Sequence, residues 1–365
     1  MQQNININTT KTLFNLLRVA VGTAESEKVA TEGAAWVEVY NMARKQGVLA
    51  VAFDGLTKLF AQDKEFAKSF PLSLKMQWIN ATCGVEKRYD YSQEVCAELA
   101  EKWAQQGIKT LCLKGMAFST YYPVPNHREC GDFDCYLFEN YAKGNSLARE
   151  LGAYVDDGWY KHSEIIYRKV MIENHQYIVA IRGGERLKRL HNLLDNMART
   201  EECKPIFDTQ IEMPSAMFNA LFLNHHSLTH FLSEGIRLRH ILDWAMFIEK
   251  EQDNLDWERF YSICEEYDLR KFVDCATALA VEIFNIKITN PKIVTTSPYA
   301  ERVLDSVLND DNAVFSQNVG AWRKRFMLVR NLFASRWKYK AFSSTGILAK
   351  FVSLVWGYIT HPEED

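Results

Sequence analysis

A helix-rich α+β fold, with a few strands set between two helical regions, is predicted by three features of this 365-residue chain. Long stretches repeat apolar residues at spacings of three and four, the helical period. That period breaks off at Gly107, where "IKTLCLKG" alternates as a short strand running into a tight turn does. Helical periodicity then dominates again from Pro214 towards the C-terminus. The boundaries that follow are an N-terminal helical region over 1–106, an α/β core over 107–213 and a C-terminal helical region over 214–365.

The elements follow in order. From Thr12 to about Ala104, "LFNLLRVAV", "WVEVYNMARKQGVLAVAFDGLTKLF" and "SLKMQWINATCGVEKRYDYSQEVCAELAEKWAQQG" read as helices, with Gly47, Gly55, Gly107 and Pro71 as breaks. After the first strand, "MAFSTYY" reads as a short helix, and "YPVPNHRECG", with two prolines and a glycine, as a loop. "DFDCYLF" is a second strand and "NYAKGNSLARELGA" the helix behind it. "SEIIYRKVMIENHQYIVAIRGGERL" holds two further strand-like runs ended by Gly183 and Gly184. A helix at "ERLKRLHNLLDNMAR" and a strand at "KPIFDTQIEM" precede the C-terminal helices, among them "SAMFNALFLNHHSLTHFL", "RLRHILDWAMFIEK" and "RKFVDCATALAVEIF". No fixed-period repeat stands out, which disfavours a solenoid.

Composition narrows the class. A hydrophobic fraction of 47% is ample for a globular core. The net charge of −3 advertises neither a nucleic-acid nor an anionic-membrane partner. Eight cysteines without a C-x-x-C pair read as reduced thiols, not a zinc knuckle or redox motif. The polar start "MQQNININTTKTLF" lacks the features of a secretory signal, so the expected location is cytoplasmic. "GILAKFVSLVWGYI" is interrupted by Lys350 and falls short of the roughly 20 residues of a membrane span, so no transmembrane segment is expected. Neither a Walker loop nor a G-x-G-x-x-G fingerprint occurs.

The chemistry concentrates in "GDFDCYLF". Side chains alternate faces along a strand, so Asp132, Asp134 and Tyr136 share one face while Phe133, Cys135 and Leu137 take the other. Two carboxylates at that distance disfavour each other's charge unless a cation lies between them. A cluster of hard oxygens suits magnesium. An isolated D-x-D also occurs harmlessly at exposed strand ends. What singles this one out is its company: Lys114 and Gly115 at the end of the preceding strand, where a glycine allows close approach to a phosphate, and Glu173 on a later strand.

"LKGMAFSTYYPVPNHRECGDFDCYLF" resembles the signature of the uncharacterised bacterial nucleotidyltransferase family within the DNA polymerase beta-like superfamily: L-K-G, then Y-Y-P-x-P, an arginine, and G-D-hydrophobic-D on a strand. The similarity extends upstream to "LLRVAVG" and downstream to "VMIENHQ" and "LFLNHHSLTHFLSEGIRLRHILDWAMFIEK", covering roughly Thr12 to Lys250. The resemblance implies a small mixed β-sheet and magnesium- or manganese-dependent transfer of a nucleoside monophosphate from an NTP. Carried over by position, Asp132, Asp134 and Glu173 are the catalytic and metal-binding carboxylates, and Lys114 and Gly115 lie at the phosphate loop. Arg128 is assigned a phosphate contact, and His175 also falls on a family position. The chain departs from the superfamily at Met116, where Ser or Gly follows the glycine, and in the sixteen residues between Gly115 and Asp132. The acceptor, whether protein, RNA or small molecule, is not named by any motif.

Three other features compete for a role. His226 and His230 stand at i, i+4 beside His225, the spacing of a paired metal site, but no H-E-x-x-H is present and helix packing is the default. Asp243 and Trp244 in "LDWAMF" read as structural. The segment 322–340, "WRKRFMLVRNLFASRWKYK", carries seven Lys/Arg ending at Lys340 and interleaves them with Trp322, Phe326, Phe333, Trp337 and Tyr339. It fits weak RNA or membrane contact, or else an amphipathic helix with core aromatics. The alternatives to an enzyme are therefore an inactive nucleotidyltransferase-fold interaction protein and a peripheral membrane or RNA adaptor.

Overall fold

Helix α1 (Ile7–Val21) buries Leu13, Leu16, Leu17 and Ala20 against α3 (Leu49–Gln62), and α2 (Trp36–Lys45) adds Val39 and Ala43 to the same core. These helices belong to a computed structural model that describes residues 7–25, 33–309 and 336–344. Gly47 and Gly107 do end helices, at φ +67° and +74°. Gly55 does not break one. It lies inside α3, where a Cβ would stand 2.1 Å from the Leu16 carbonyl oxygen, so its role is close approach between α1 and α3. Pro71 opens the 33-residue α5 (Leu72–Ala104), which follows the short α4 (Lys64–Ser69).

Among the described residues, seven strands form one mixed sheet in the order β3-β4-β5-β2-β1-β7-β6. They are β1 (Thr110–Cys112), β2 (Phe133–Tyr136), β3 (Tyr154–Asp156), β4 (His162–Tyr167), β5 (Val170–His175), β6 (Lys204–Pro205) and β7 (Ile211–Met213). β2 runs antiparallel to β1 and parallel to β5, and β4 closes a hairpin with β5. That hairpin turns on Arg168 and Lys169, both at positive φ (47° and 66°). The turn carries no Gly, Asn or Asp, so its residue types do not announce it. β5 stops at His175, well before Gly183 and Gly184, which lead into α8 (Glu185–Thr200). "KPIFDTQIEM" is a small hairpin, not one strand. β3 escaped the sequence reading because it is a largely exposed edge strand without apolar alternation.

The two faces of β2 enter different cores. Phe133, Cys135 and Leu137 pack with Val95, Leu99 and Trp103 of α5 and Ala148 of α7 (Tyr141–Glu150). Tyr136 joins Leu111 and Leu113 in the larger core. That core is built from α1 to α3, α8, α9 (Ala216–Ser233), α10 (Leu238–Glu251), α11 (Trp257–Glu266), α12 (Arg270–Phe284) and α13 (Ala300–Asn309). N-terminal and C-terminal helices meet directly: Arg18 donates to the carbonyls of Glu282 and Ile283, and Gln46 to that of Val307. A last described helix, α14 (Arg336–Phe342), packs Phe342 near Phe231 and Phe272. Most of the basic segment, residues 322–335, lies outside the described residues. The part inside turns Tyr339 into the interior and stacks Arg302 on Trp337. No described helix is long and apolar enough to cross a membrane.

The Gly55 contact yields a stability prediction. Gly55→Ala forces α1 and α3 apart and is expected to cost about 2–3 kcal/mol, as overpacking a tight contact does. Urea denaturation followed by circular dichroism checks it, and an unchanged midpoint would contradict it.

Candidate active site

β2 positions the first acids. Its parity places Asp132 and Asp134 on one side of the sheet, and its parallel register makes Asp134 the ladder partner of Glu173 and Tyr136 that of His175. The structure therefore brings Asp132, Asp134 and Glu173 together, with ligand oxygens all within 4.8 Å of one another. Asp134 is 1% exposed, whereas Asp132 is half-buried at the mouth of the cleft. Two cationic or proton-bearing groups offset the carboxylates. Lys114 Nζ lies 3.0 Å from Asp134 Oδ2 and 3.5 Å from Asp132 Oδ2, and His175 Nε2 lies 3.1 Å from Asp134 Oδ1. Burial opposes the charge on Asp134, but Lys114 and His175 outweigh it and hold the carboxyl well below its usual range. Burial likewise opposes the Lys114 charge, and the three carboxylates outweigh that, raising its pKa.

Lys114 thus sits between the aspartates, not clear of them on a phosphate loop. Gly115 follows at φ +61°, a backbone conformation that a side chain would strain, and α6 (Met116–Ser119) is a single turn. Met116 is buried in the core behind β2 and offers the cleft no hydroxyl. The donor set fits a hard divalent cation. Asp132, Asp134, Glu173 and Lys114 sum to two negative charges, and the buried Asp134 Oδ2 has no hydrogen bond despite the nearby ammonium.

Arg128 lines the cleft and is also held from within the fold. Its Nε and Nη2 donate to both oxygens of Asp243, each at 2.8 Å, and the Tyr122 hydroxyl donates to the same carboxylate at 2.7 Å. The fork is committed to a buried ion pair that pins the 121–131 loop to α10, and Asp243, read as structural, is its anchor. His127 ties the same loop to α3 and α5 through Asp54 (2.8 Å) and Glu86 (2.9 Å). Burial opposes its charge, but the two carboxylates prevail and raise its pKa.

The cleft in front of Lys114, Gly115 and Asp132 has a volume of about 470 Å³, open solvent included, and is walled by Phe222, Leu223 and His226 of α9 and by Arg239 and His240 of α10. Sequence reasoning missed Arg239, whose buried Nε has no hydrogen-bond partner while Nη1 donates to the Glu129 carbonyl. It missed Lys161 and His162 as well. Burial lowers the Lys161 pKa against the opposing pull of Asp134 and Glu173, and burial lowers His162 to about 4. Period and motif do not flag these residues, since only the fold brings β4 and α10 to the acids. Among the described residues, no group of three metal-ligating side chains includes His226 or His230.

Residues 32–285 match the model of a family described as uncharacterised nucleotidyltransferases. The chain belongs to that family. The match covers both the sheet and the cleft helices α9 and α10, so the family's span and the site's walls coincide. Neither a curated protein nor a solved structure matches the chain.

The histidines of α9 and α10 give the protein an acid limit. Burial, then the cations Lys161 and Arg186, lowers His225 to about 4, and burial with Arg239 lowers His240 to about 3. Burial with Lys114 also lowers His226. Unfolded histidines protonate near 6.5, so below that pH the unfolded chain binds more protons and stability falls, until each folded pKa is passed. His127, with its raised pKa, adds no slope below about 6.5 because both states are then protonated. The urea midpoint is expected to fall steadily from pH 7 to pH 4.5, with a ceiling of about 1.4 kcal/mol per pH unit for each histidine. A flat profile would contradict the burial of neutral imidazoles.

Proposed function

We propose that the protein is a magnesium- or manganese-dependent nucleotidyltransferase that moves a nucleoside monophosphate from an NTP to an acceptor hydroxyl, forming the acceptor oxygen–α-phosphorus bond as the α–β phosphoanhydride breaks and pyrophosphate leaves. The observation that carries this reading is the convergence of Asp132, Asp134 and Glu173 within 4.8 Å, with Asp132 opening onto a cleft lined by Lys114 and Arg239, in a chain of nucleotidyltransferase family. Asp132, Asp134 and Glu173 are the residues that would hold the ion. A divalent cation there supplies charge neutralisation for the transferred phosphoryl group and acidifies the attacking hydroxyl.

The chain's own residues divide the remaining work. Asp134 is locked by Lys114 and His175, and Asp132 reaches the cleft mouth from the same strand face. Lys114 now neutralises the carboxylates, and with a cation held by them its flexible side chain would be free to turn to a triphosphate. Gly115 lets the backbone approach the phosphates, and Arg239 Nε is the uncommitted guanidinium donor of the cleft. The Arg128–Asp243 pair keeps the loop before Asp132 in place. The acceptor approaches from the open side of the cleft, and protein, RNA and small-molecule hydroxyls are all chemically admissible.

One observation favours a second reading, an NTP-binding protein without turnover: Met116 is buried in the core, with no hydroxyl for a phosphate. Incubation with labelled NTPs, Mg2+ or Mn2+ and a lysate of acceptors separates the two. Transfer is expected from the wild type, with a loss of about 100-fold or more in Asp132→Asn and in Asp134→Asn. NTP binding without transfer supports the second reading, and transfer undiminished in both variants would overturn the carboxylate mechanism.

A further inference from the structure

We infer that His162, His175 and Glu173 form a second seat on the sheet, one for a divalent transition cation of the zinc and cobalt class. It goes beyond the transferase reading through His162, which that reading does not use, and shares Glu173 with it.

The antiparallel ladder of β4 and β5 pairs His162 with His175, so both imidazoles stand on the face that carries Glu173, their rings 5.1 Å apart. Glu173 Oε2 lies 3.3 Å from His175 Nε2 and 3.5 Å from His162 Nδ1, and the three ligand atoms all fall within 4.8 Å. A tetrahedral ion with bonds of about 2.0–2.2 Å holds its ligand atoms roughly 3.3–3.6 Å apart, which these two edges match. Octahedral Mg2+ brings neighbouring ligands to about 2.9 Å and takes oxygen, not imidazole.

Two further observations point to a cation. His162 is 5% exposed, and its Nδ1 has no hydrogen-bond partner although a carboxylate oxygen is 3.5 Å away. An orphaned buried nitrogen aimed at an anion requires an explanation. His175 Nδ1 faces the Tyr177 carbonyl at 3.4 Å, the bond that fixes the tautomer of a metal-ligating histidine. His175 Nε2 lies 3.1 Å from Asp134 Oδ1 and 3.3 Å from Glu173 Oε2, so a cation seated there would take the place of the proton that this nitrogen otherwise shares with Asp134.

The test is titration of Co2+ into the full-length protein under excess Mg2+, read by visible absorption. The wild type is expected to show d–d bands of nitrogen and oxygen ligation that Zn2+ abolishes and Mg2+ does not. His162→Gln should weaken Co2+ by more than the roughly 10- to 100-fold that loss of a mere supporting residue costs. His162→Cys should keep the ion and add a thiolate-to-cobalt charge-transfer band, a signal that only a folded site with residue 162 as ligand gives. Absent d–d bands, bands that Mg2+ removes, a sulfur band already present in the wild type, or no added band in His162→Cys would overturn the inference. Mg2+-dependent label transfer without Co2+ binding refutes this seat alone, and Co2+ bands in a protein that neither binds nor transfers NTP refute the transferase reading alone.

Discussion

Three carboxylates in a half-closed site need positive charge, and the arrangement of this molecule around β2 follows from that need. Asp134 is almost wholly buried, so its charge survives only because Lys114 and His175 stand within about 3 Å of it. Lys114 comes from the end of β1 and His175 from the end of β5, the two neighbours of β2 in the sheet. The electrostatics of one residue thus depend on the pairing of three strands. A slip of one residue between β2 and β5 would turn Glu173 and His175 to the opposite face and leave Asp134 facing the cleft with Lys114 alone.

The rest of the fold holds that register. Behind the sheet, Asn145 of α7 accepts from Ser163 and Asn174, which face away from the acids, so β4 and β5 are keyed to one helix by side-chain bonds. In front, Arg128 and Asp243 join the loop before β2 to α10. Leaving either ion alone in that interior would be costly, so the pair specifies where α10 sits against the sheet. The long α5 crosses both regions, contributing Trp78 to the larger core and Leu99 and Trp103 to the smaller.

Much of this was legible in sequence, for identifiable reasons. Parity along a strand put Asp132 and Asp134 on one face, and the family resemblance matched Glu173 before any pairing was visible. Helical periodicity marked α8 to α13, where a wide apolar stripe faces the core. What escaped depended on partners distant in sequence. Gly55 looked like a break because its packing partner, the Leu16 backbone, lies on another helix. The pairing of Arg128 with Asp243 was invisible because the two lie 115 residues apart. His162 and Arg239 carry no motif and become notable only when β4 and α10 are brought to the acids. The edge strand β3 had no hydrophobic alternation to betray it.

The central claim is that these acids are gathered to share a divalent cation beside a triphosphate, with Lys114 standing between the aspartates in its place. Diffraction at the manganese edge, from crystals grown with Mn2+ and a non-hydrolysable NTP, addresses it most directly. The account predicts an anomalous peak bounded by Asp132, Asp134 and Glu173, with Lys114 turned to the phosphates. Nucleotide bound with no peak there, and Lys114 still between the two aspartates, would contradict it.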